Sequence, residues 1–398
     1  MCVKLEVYGQ LPAVLCSPLT MTAERRQFIS PFQYNPGNDP SVITYLQGLK
    51  GGDAPGTFVL VGANNSPGPT PVGLVYQGPL DRVMRRGVSG SGTWSTVAVP
   101  KRFGAAGTSV YGPDNFGAGL GNLVGAYTRS LGNQAPSSDN PAIVGFTYTG
   151  ALNGSTATGW RSVQGTIQLG VKGSYTFVHS VDGGLAVGNT DNADVDDLTG
   201  YFSLSSTAFI VELATGRQTP IRFPGERDPL VTHTAYGIWA NGSGKYTIAG
   251  GSGEVLNEEA SRVSAGEAYL IDYDSITGQF SNYTTFSYRN RDRTDLITHF
   301  EGIYRTDNGS YRLPATSVAL NDEGDLAIAS EVTVKRNKKG EFRAKASWQD
   351  LDVTRSSDGA ISVLSTANSL YGDVTVGFAN YPDGNSGLTP LDFVSRLL

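Results

Sequence analysis

The sequence predicts an all-β fold, a β-propeller of six four-stranded blades forming a single domain over residues 26–398. Three observations carry this. Glycine is abundant (51 of 398 residues) and charge is sparse (17%), with no long helix-period segment, as expected for many short strands joined by glycine-rich turns. A short phrase ending in glycine occurs six times, closing at Gly48, Gly112, Gly183, Gly237, Gly302 and Gly372. The copies lie 54 to 71 residues apart, room for four strands of about five residues plus loops. Finally, the last copy leaves space for only three strands, and the missing fourth is found at the other end of the chain. Arg26–Phe32, with Pro36-Gly37 and Asp39-Pro40, matches Arg217–Phe223, with Pro224-Gly225 and Asp228-Pro229. The N-terminal strand is therefore expected to complete the last blade, because radial closure hides sheet edges that would otherwise template aggregation. Residues 1–25 read as an N-terminal extension.

Each blade is built from four landmarks in order. The first strand carries the phrase itself, for example Thr108-Ser-Val-Tyr-Gly112 and His233-Thr-Ala-Tyr-Gly237. The second is apolar and ends near Val/Ile-x-Gly, at Gly62, Gly125, Gly188, Gly250 and Gly377, with Leu313-Pro-Ala315 departing from the pattern in the fifth unit. The third includes Val72–Tyr76, Val144–Tyr148, Ala208–Val211 and Ala268–Asp272. The fourth includes Trp94–Val97, Trp160–Val163, Thr219–Phe223 and Tyr283–Phe286. Alternating and continuously apolar runs are mixed, which suits sheets packed face to face.

Ser109–Gly112, Val124–Tyr127, Ala208–Ile210 and Phe223–Gly225 resemble the bacterial HAF-type repeats, named for a His-Ala-Phe strand. Here Thr207-Ala-Phe209 and Glu267-Ala-Tyr269 stand at the name-giving position. The resemblance covers about residues 26–398. It implies a propeller-like fold and an extracellular or periplasmic location, and it implies no reaction.

All three histidines fall within the phrase, as His179, His233 and His299. In a propeller the phrases ring one mouth of the central channel. The residues preceding the phrase glycines, Gln47, Tyr111, Asp182, Tyr236, Glu301 and Tyr371, are then expected to face a common funnel. His179 and His233 are candidate acids or bases, with Asp182 and Glu301 orienting them or acting themselves. The tyrosines could donate to a developing oxyanion, and Gln47, Tyr111, Tyr236, His299 and Tyr371 would contact a ligand. The same polar groups could instead satisfy backbone in the turns. A three-histidine metal site is opposed by strand parity, since His299 stands one step out of phase with the other two. Asp191, Asp194, Asp196 and Asp197 form an acidic loop segment that could take Ca²⁺ or simply be solvated. The long loops Thr128–Ala142 and Gly251–Gly266 would form a rim.

A net charge of −6 argues against nucleic acid. The one basic run, Lys335–Lys339, reads as a solvated hairpin tip. No apolar run is long enough to span a bilayer, and no leader is recognisable. Cys2 and Cys16 could pair or remain free thiols. Three Asn-Gly-Ser sequences, at Asn153, Asn241 and Asn308, read as turns. No Gly-x-Ser-x-Gly elbow, phosphate loop, dinucleotide fingerprint, His-Glu-x-x-His or Cys-x-x-Cys occurs. The reading is a propeller with a small-molecule site in its axial funnel, using metal-free acid–base chemistry of isomerase, cyclase, lyase or hydrolase type and no cofactor. The alternative is a non-catalytic module that binds a glycan or a protein.

Overall fold

In a computed structural model, residues 28–32, 34, 42–65, 70–80, 91–132, 134, 137, 139–166, 172–191, 207–223, 231–255, 263–291, 296–319, 326–351, 353, 360–382 and 388–396 are described. Cys2, Cys16, Asp194, Asp196 and Asp197 lie outside these residues.

The protein is an all-β propeller. After a short N-terminal strand, β1 (Phe28–Pro31), the strands among the described residues fall into antiparallel groups, of four strands except in the fifth, which adds a two-residue strand. The first holds β2 (Ile43–Gly51), β3 (Thr57–Asn65), β4 (Val72–Pro79) and β5 (Thr93–Val97). The second holds β6 (Ala105–Gly117), β7 (Leu120–Arg129), β8 (Ile143–Ala151) and β9 (Trp160–Val163), and the third β10 (Tyr175–Asp182), β11 (Leu185–Asp191), β12 (Thr207–Glu212) and β13 (Gln218–Pro220). Next come β14 (Val231–Gly242), β15 (Lys245–Val255), β16 (Val263–Asp274) and β17 (Gln279–Phe286). The fifth group has β18 (Leu296–Phe300), the two-residue β19 (Tyr304–Arg305), β20 (Tyr311–Ala319), β21 (Leu326–Val334) and β22 (Ser347–Asp350). The sixth has β23 (Leu364–Tyr371), β24 (Val374–Pro382) and β25 (Leu388–Arg396), and β1 pairs along β25 from Phe28↔Arg396 to Pro31↔Phe393. Groups two and three are joined by one parallel strand pair, Tyr175↔Ile143, and groups four and five by another, Gly266↔Ile297.

Apolar side chains fill each seam between consecutive groups. Val61, Val75 and Val97 meet Val110, Leu123 and Tyr127 between the first two, for example. The last group packs on the first in the same way, Val374, Val376 and Val394 against Leu46, Leu60 and Tyr76, with Phe32 in the same cluster. Phe32 is 1% exposed and its ring lies 5.0 Å from Tyr76 and 5.4 Å from Trp94.

A β-bulge interrupts five of the six inner strands, skipping Gln47, Tyr111, His179, Tyr236 and Asn368 in the pairing with the second strand. Opposite the bulge stands the second-strand glycine. A Cβ on Gly62, Gly125, Gly188, Gly250 or Gly377 would come to 2.0 Å from an inner-strand carbonyl oxygen. In the fifth group β18 pairs without a bulge and ends at Phe300, so Ala315 fits where the others need glycine.

Three expectations are revised. Gly251–Gly266 does not form a separate rim loop, because its described residues continue the β15–β16 ladder out to Val255↔Val263. The basic run is not a purely solvated tip. Arg336 turns inward, 2.7 Å from the Asp272 carboxylate and stacked 4.0 Å over Phe342. The phrase alignment also shifts by three residues in two groups. The bulges equate His179 and Asn368, not Asp182 and Tyr371, with Gln47, Tyr111 and Tyr236, and Glu301 follows the last β18 residue in the fifth group. Gly183 and Gly372 are hairpin-turn glycines with φ of 58° and 62°.

Candidate functional site: the axial cavity

The five bulge residues, released from the ladder, and Glu301, which follows the end of β18, point to the propeller axis. Gln47, Tyr111, His179, Tyr236, Glu301 and Asn368, one from each group, line a single cavity of about 360 Å³ together with Phe177, Asn189, Asp191 and Thr234. One side is aromatic. Tyr111 lies 5.4 Å from His179, His179 lies 4.5 Å from Tyr236, and Phe177 stacks 6.0 Å from His179. The other side is polar, formed by Glu301, Asn368 and Gln47.

His179 is held by a relay. Its Nε2 and Asn189 Oδ1 are 2.7 Å apart, and Asn189 Nδ2 donates to Asp191 Oδ1 at 3.1 Å. The amide orientation fixed by Asp191 makes Oδ1 the acceptor, so His179 carries its proton on Nε2 and keeps a lone pair on Nδ1. Burial lowers the His179 pKa to about 4, against the opposing effect of the Asn189 hydrogen bond. Burial raises Glu301 to about 8, opposed by a hydrogen bond from Thr316. The two therefore sit at neutral pH as a protonated carboxyl and an unprotonated imidazole. The phenols of Tyr111 and Tyr236 are both pushed up by burial, Tyr111 to about 12, and Glu301 adds to the effect on Tyr236.

The channel narrows below this cavity to a space of about 30 Å³. Three residues beyond the bulge, the inner strands supply Lys50, Asp114, Asp182, Trp239, Tyr304 and Tyr371. Lys50 Nζ reaches across the axis to Asp182 Oδ1 at 2.8 Å, with Asp114 at 3.8 Å and the Trp239 ring at 5.1 Å. Trp239 packs on Tyr304 (5.3 Å) and Tyr304 on Tyr371 (5.0 Å). This layer is a stopper.

The residues expected at one mouth thus separate. Gln47, Tyr111, His179, Tyr236 and Glu301 come together in the cavity. Asp182 does not orient a histidine; it accepts from Lys50 and from the Ala240 N–H in the stopper, and Tyr371 lies in the same layer. His233 does not reach the cavity. It is 2% exposed, packed 4.5 Å from Phe223 in the seam between groups. It occupies the place of Thr44, Thr108, Thr176, Thr298 and Ser365, of which Thr108 and Thr176 accept from the preceding group's backbone at Val99 and Gly165. His299 sits behind Tyr236, ring to ring at 5.6 Å, and burial lowers its pKa to about 4. The bulge explains the failure of simple parity, because its extra residue breaks the two-residue alternation of a regular strand. Asp191 lines the cavity; among the described residues no group of three or more His, Cys, Asp or Glu could hold a metal. Sequence reasoning passed over Phe177, Asn189, Thr234, Asn368 and Lys50. Equating Val178-His179-Ser180 and Ala367-Asn368-Ser369 with the other phrases would have found His179 and Asn368, and gives steadier spacings of 64, 68, 57, 65 and 67 residues.

No family model and no curated protein matches the chain. Among solved structures it is similar to a protein of unknown function from Dyadobacter fermentans DSM 18053, with a TM-score of 0.55 at 8% identity, covering 94% of this chain and 99% of that one. At that identity the likeness concerns the fold alone. More distant likenesses are an α-L-arabinanase from Penicillium chrysogenum complexed with arabinobiose (TM-score 0.37, 12% identity, 92% and 84% covered) and a polysaccharide lyase, ulvan lyase (0.41, 11%, 92% and 86%).

Proposed function

We propose that the axial cavity is a small-molecule site in which Glu301 donates a proton and His179 accepts one through Nδ1. The observation supporting this is the convergence on one cavity of five inner-strand bulge residues and Glu301, the residue just after β18, with two titratable groups held in opposite protonation states. Tyr236, in ring contact with His179 and electrostatically coupled to Glu301, lies between them. The Asp191–Asn189 relay fixes the imidazole tautomer, so the same nitrogen is available in every encounter. We read the fold around it as a closed ring of six blades.

A metabolite library screened by thermal shift tests this, with hits retested on Tyr236→Ala and assayed for turnover. Hits are expected to lose their stabilising effect in Tyr236→Ala. Turnover is expected to fall by about 10²-fold or more in Glu301→Gln and His179→Gln while binding persists. Stabilisation that survives Tyr236→Ala would move the site elsewhere. Binding without turnover by the wild-type protein would favour the non-catalytic module.

A further inference from the structure

The acid and the base of the axial cavity are each aimed by a partner behind them. On the aromatic side, Asn189 takes the Nε2 proton of His179 and leaves the Nδ1 lone pair for the cavity. On the polar side, the Thr316 hydroxyl accepts from the Ala367 N–H at 3.3 Å and donates to the Glu301 carboxyl. The carboxyl oxygen that accepts this bond is the carbonyl one, so the other oxygen carries the proton. The Tyr236 phenol, in ring contact with His179 and electrostatically coupled to Glu301, adds a second uncharged O–H donor. One base and two O–H donors in one cavity can draw a proton from carbon while charge builds on a neighbouring carbonyl oxygen. Among the described residues no serine, cysteine or lysine lines this cavity to serve as a nucleophile.

The lining also restricts the charge of the ligand. An anion would find no lysine or arginine among the described residues that line the cavity, and Lys50 below it is taken by Asp182 and Asp114. A cation would find Glu301 protonated and Asp191 already engaged by the Asn189 amide. An uncharged ligand meets neither penalty. Asn368 Nδ2 donates to the Leu46 carbonyl at 2.7 Å, so its own oxygen is presented as an acceptor for a hydroxyl. The volume of about 360 Å³ is at the small end of ligand sites.

We propose that the axial cavity enolises a small uncharged α-hydroxy carbonyl compound, exchanging the positions of its carbonyl and hydroxyl groups. This rests on the reading of the cavity as an acid–base site and names its substrate class and reaction. His179 Nδ1 takes a proton from the hydroxyl-bearing carbon. The C–H electron pair becomes a C=C bond, the carbonyl π pair moves to oxygen, and that oxygen takes the Glu301 proton. The other oxygen of this enediol then returns a proton to Glu301, and its O–H pair becomes the new carbonyl bond. The C=C pair takes the imidazolium proton at the former carbonyl carbon. Both side chains end as they began, and no co-reactant is consumed.

The test is proton NMR in heavy water with dihydroxyacetone, erythrulose, xylulose and fructose, and with hydroxypyruvate as the anionic counterpart of dihydroxyacetone. After subtraction of the buffer rate, at least one ketose is expected to take up deuterium at its hydroxyl-bearing carbon and to form its aldose. Hydroxypyruvate is expected to exchange at least about tenfold more slowly than that ketose. His179→Gln and Glu301→Gln are each expected to lower exchange by about 10²-fold or more, with circular dichroism checking that both variants fold. The wild-type rate is expected to fall above about pH 8, where Glu301 gives up its proton. A rate that does not fall there would remove Glu301 as the acid and overturn the inference. Faster exchange of hydroxypyruvate would overturn the charge assignment. No exchange of any ketose would overturn the reaction, and ligands whose binding depends on Tyr236 would then leave the axial site standing. Exchange indifferent to His179→Gln, Glu301→Gln and Tyr236→Ala would overturn the axial site along with it.

Discussion

Glu301 and His233 show how differently two polar residues of one repeated phrase can be used. Glu301 stands at the cavity, with its carboxyl raised from 4.5 to about 8 by burial. A carboxyl that holds its proton more tightly when folded makes the folded state bind more protons than the unfolded state between those two values. Stability is then complete below about pH 4.5 and falls as pH rises toward 8. Glu301→Gln is expected to remove this contribution, a slope of at most about 1.4 kcal/mol per pH unit, and melting temperatures across pH 5–8 will show it. His233, by contrast, is a seam residue. His233→Ala is expected to cost about 2 kcal/mol through the space left beside Phe223, and to leave ligand binding at the cavity intact. Urea unfolding and a binding isotherm on the same variant separate the two effects. At this scale the sequence was partly legible. Residue types and spacing brought out Gln47, Tyr111, Tyr236 and Glu301. Which of two overlapping phrases was the true repeat in groups three and six depended on where the bulge fell, and bulges leave no composition signal in a short strand.

At the scale of the strand, the bulge and its opposing glycine act as one device. Close packing continues around the inner strands, since a Cβ on Gly48 would lie 2.2 Å from the Tyr111 carbonyl oxygen and one on Gly112 would lie 2.8 Å from that of His179. Gly48→Ala is therefore expected to destabilise by about 2–3 kcal/mol, because backbone and not a movable side chain is in the way. Gly372→Ala, at φ 62° with open space around it, should cost about 1 kcal/mol from backbone strain alone. Chemical denaturation of the two variants gives the comparison, and equal losses would contradict the assignment of Gly48 to the repeat and Gly372 to a turn. In the first four groups the sequence placed the four strand types at or close to where they are found, because apolar runs, β-branched residues and turn glycines are local signals. Arg336 was misread because its partner Asp272 is remote in sequence.

For the whole molecule, the meeting of the last strand group with the first is the long-range event on which the rest depends. There β1 pairs with β25, and Asp392 accepts from the Leu46 N–H at 2.9 Å, from a position where the other groups carry Gly73, Gly145, Ala208, Ala268 and Ala329. Phe32, between Tyr76 and Trp94, fastens the same seam from the N-terminal side. Phe32→Ala is expected to lose about 3–5 kcal/mol and to increase aggregation on heating, since loosening the seam exposes strand edges. Calorimetry with light scattering reads both. A closed ring of six blades predicts that this loss appears in one cooperative transition.

Lys50, bridging Asp182 and Asp114 above Trp239, turns the axial bore into a blind alley. A bore open at both ends could be threaded by a polymer, with processing anywhere along its length. A blind one admits only what can enter head first and back out, which means a free small molecule or the terminus of a chain.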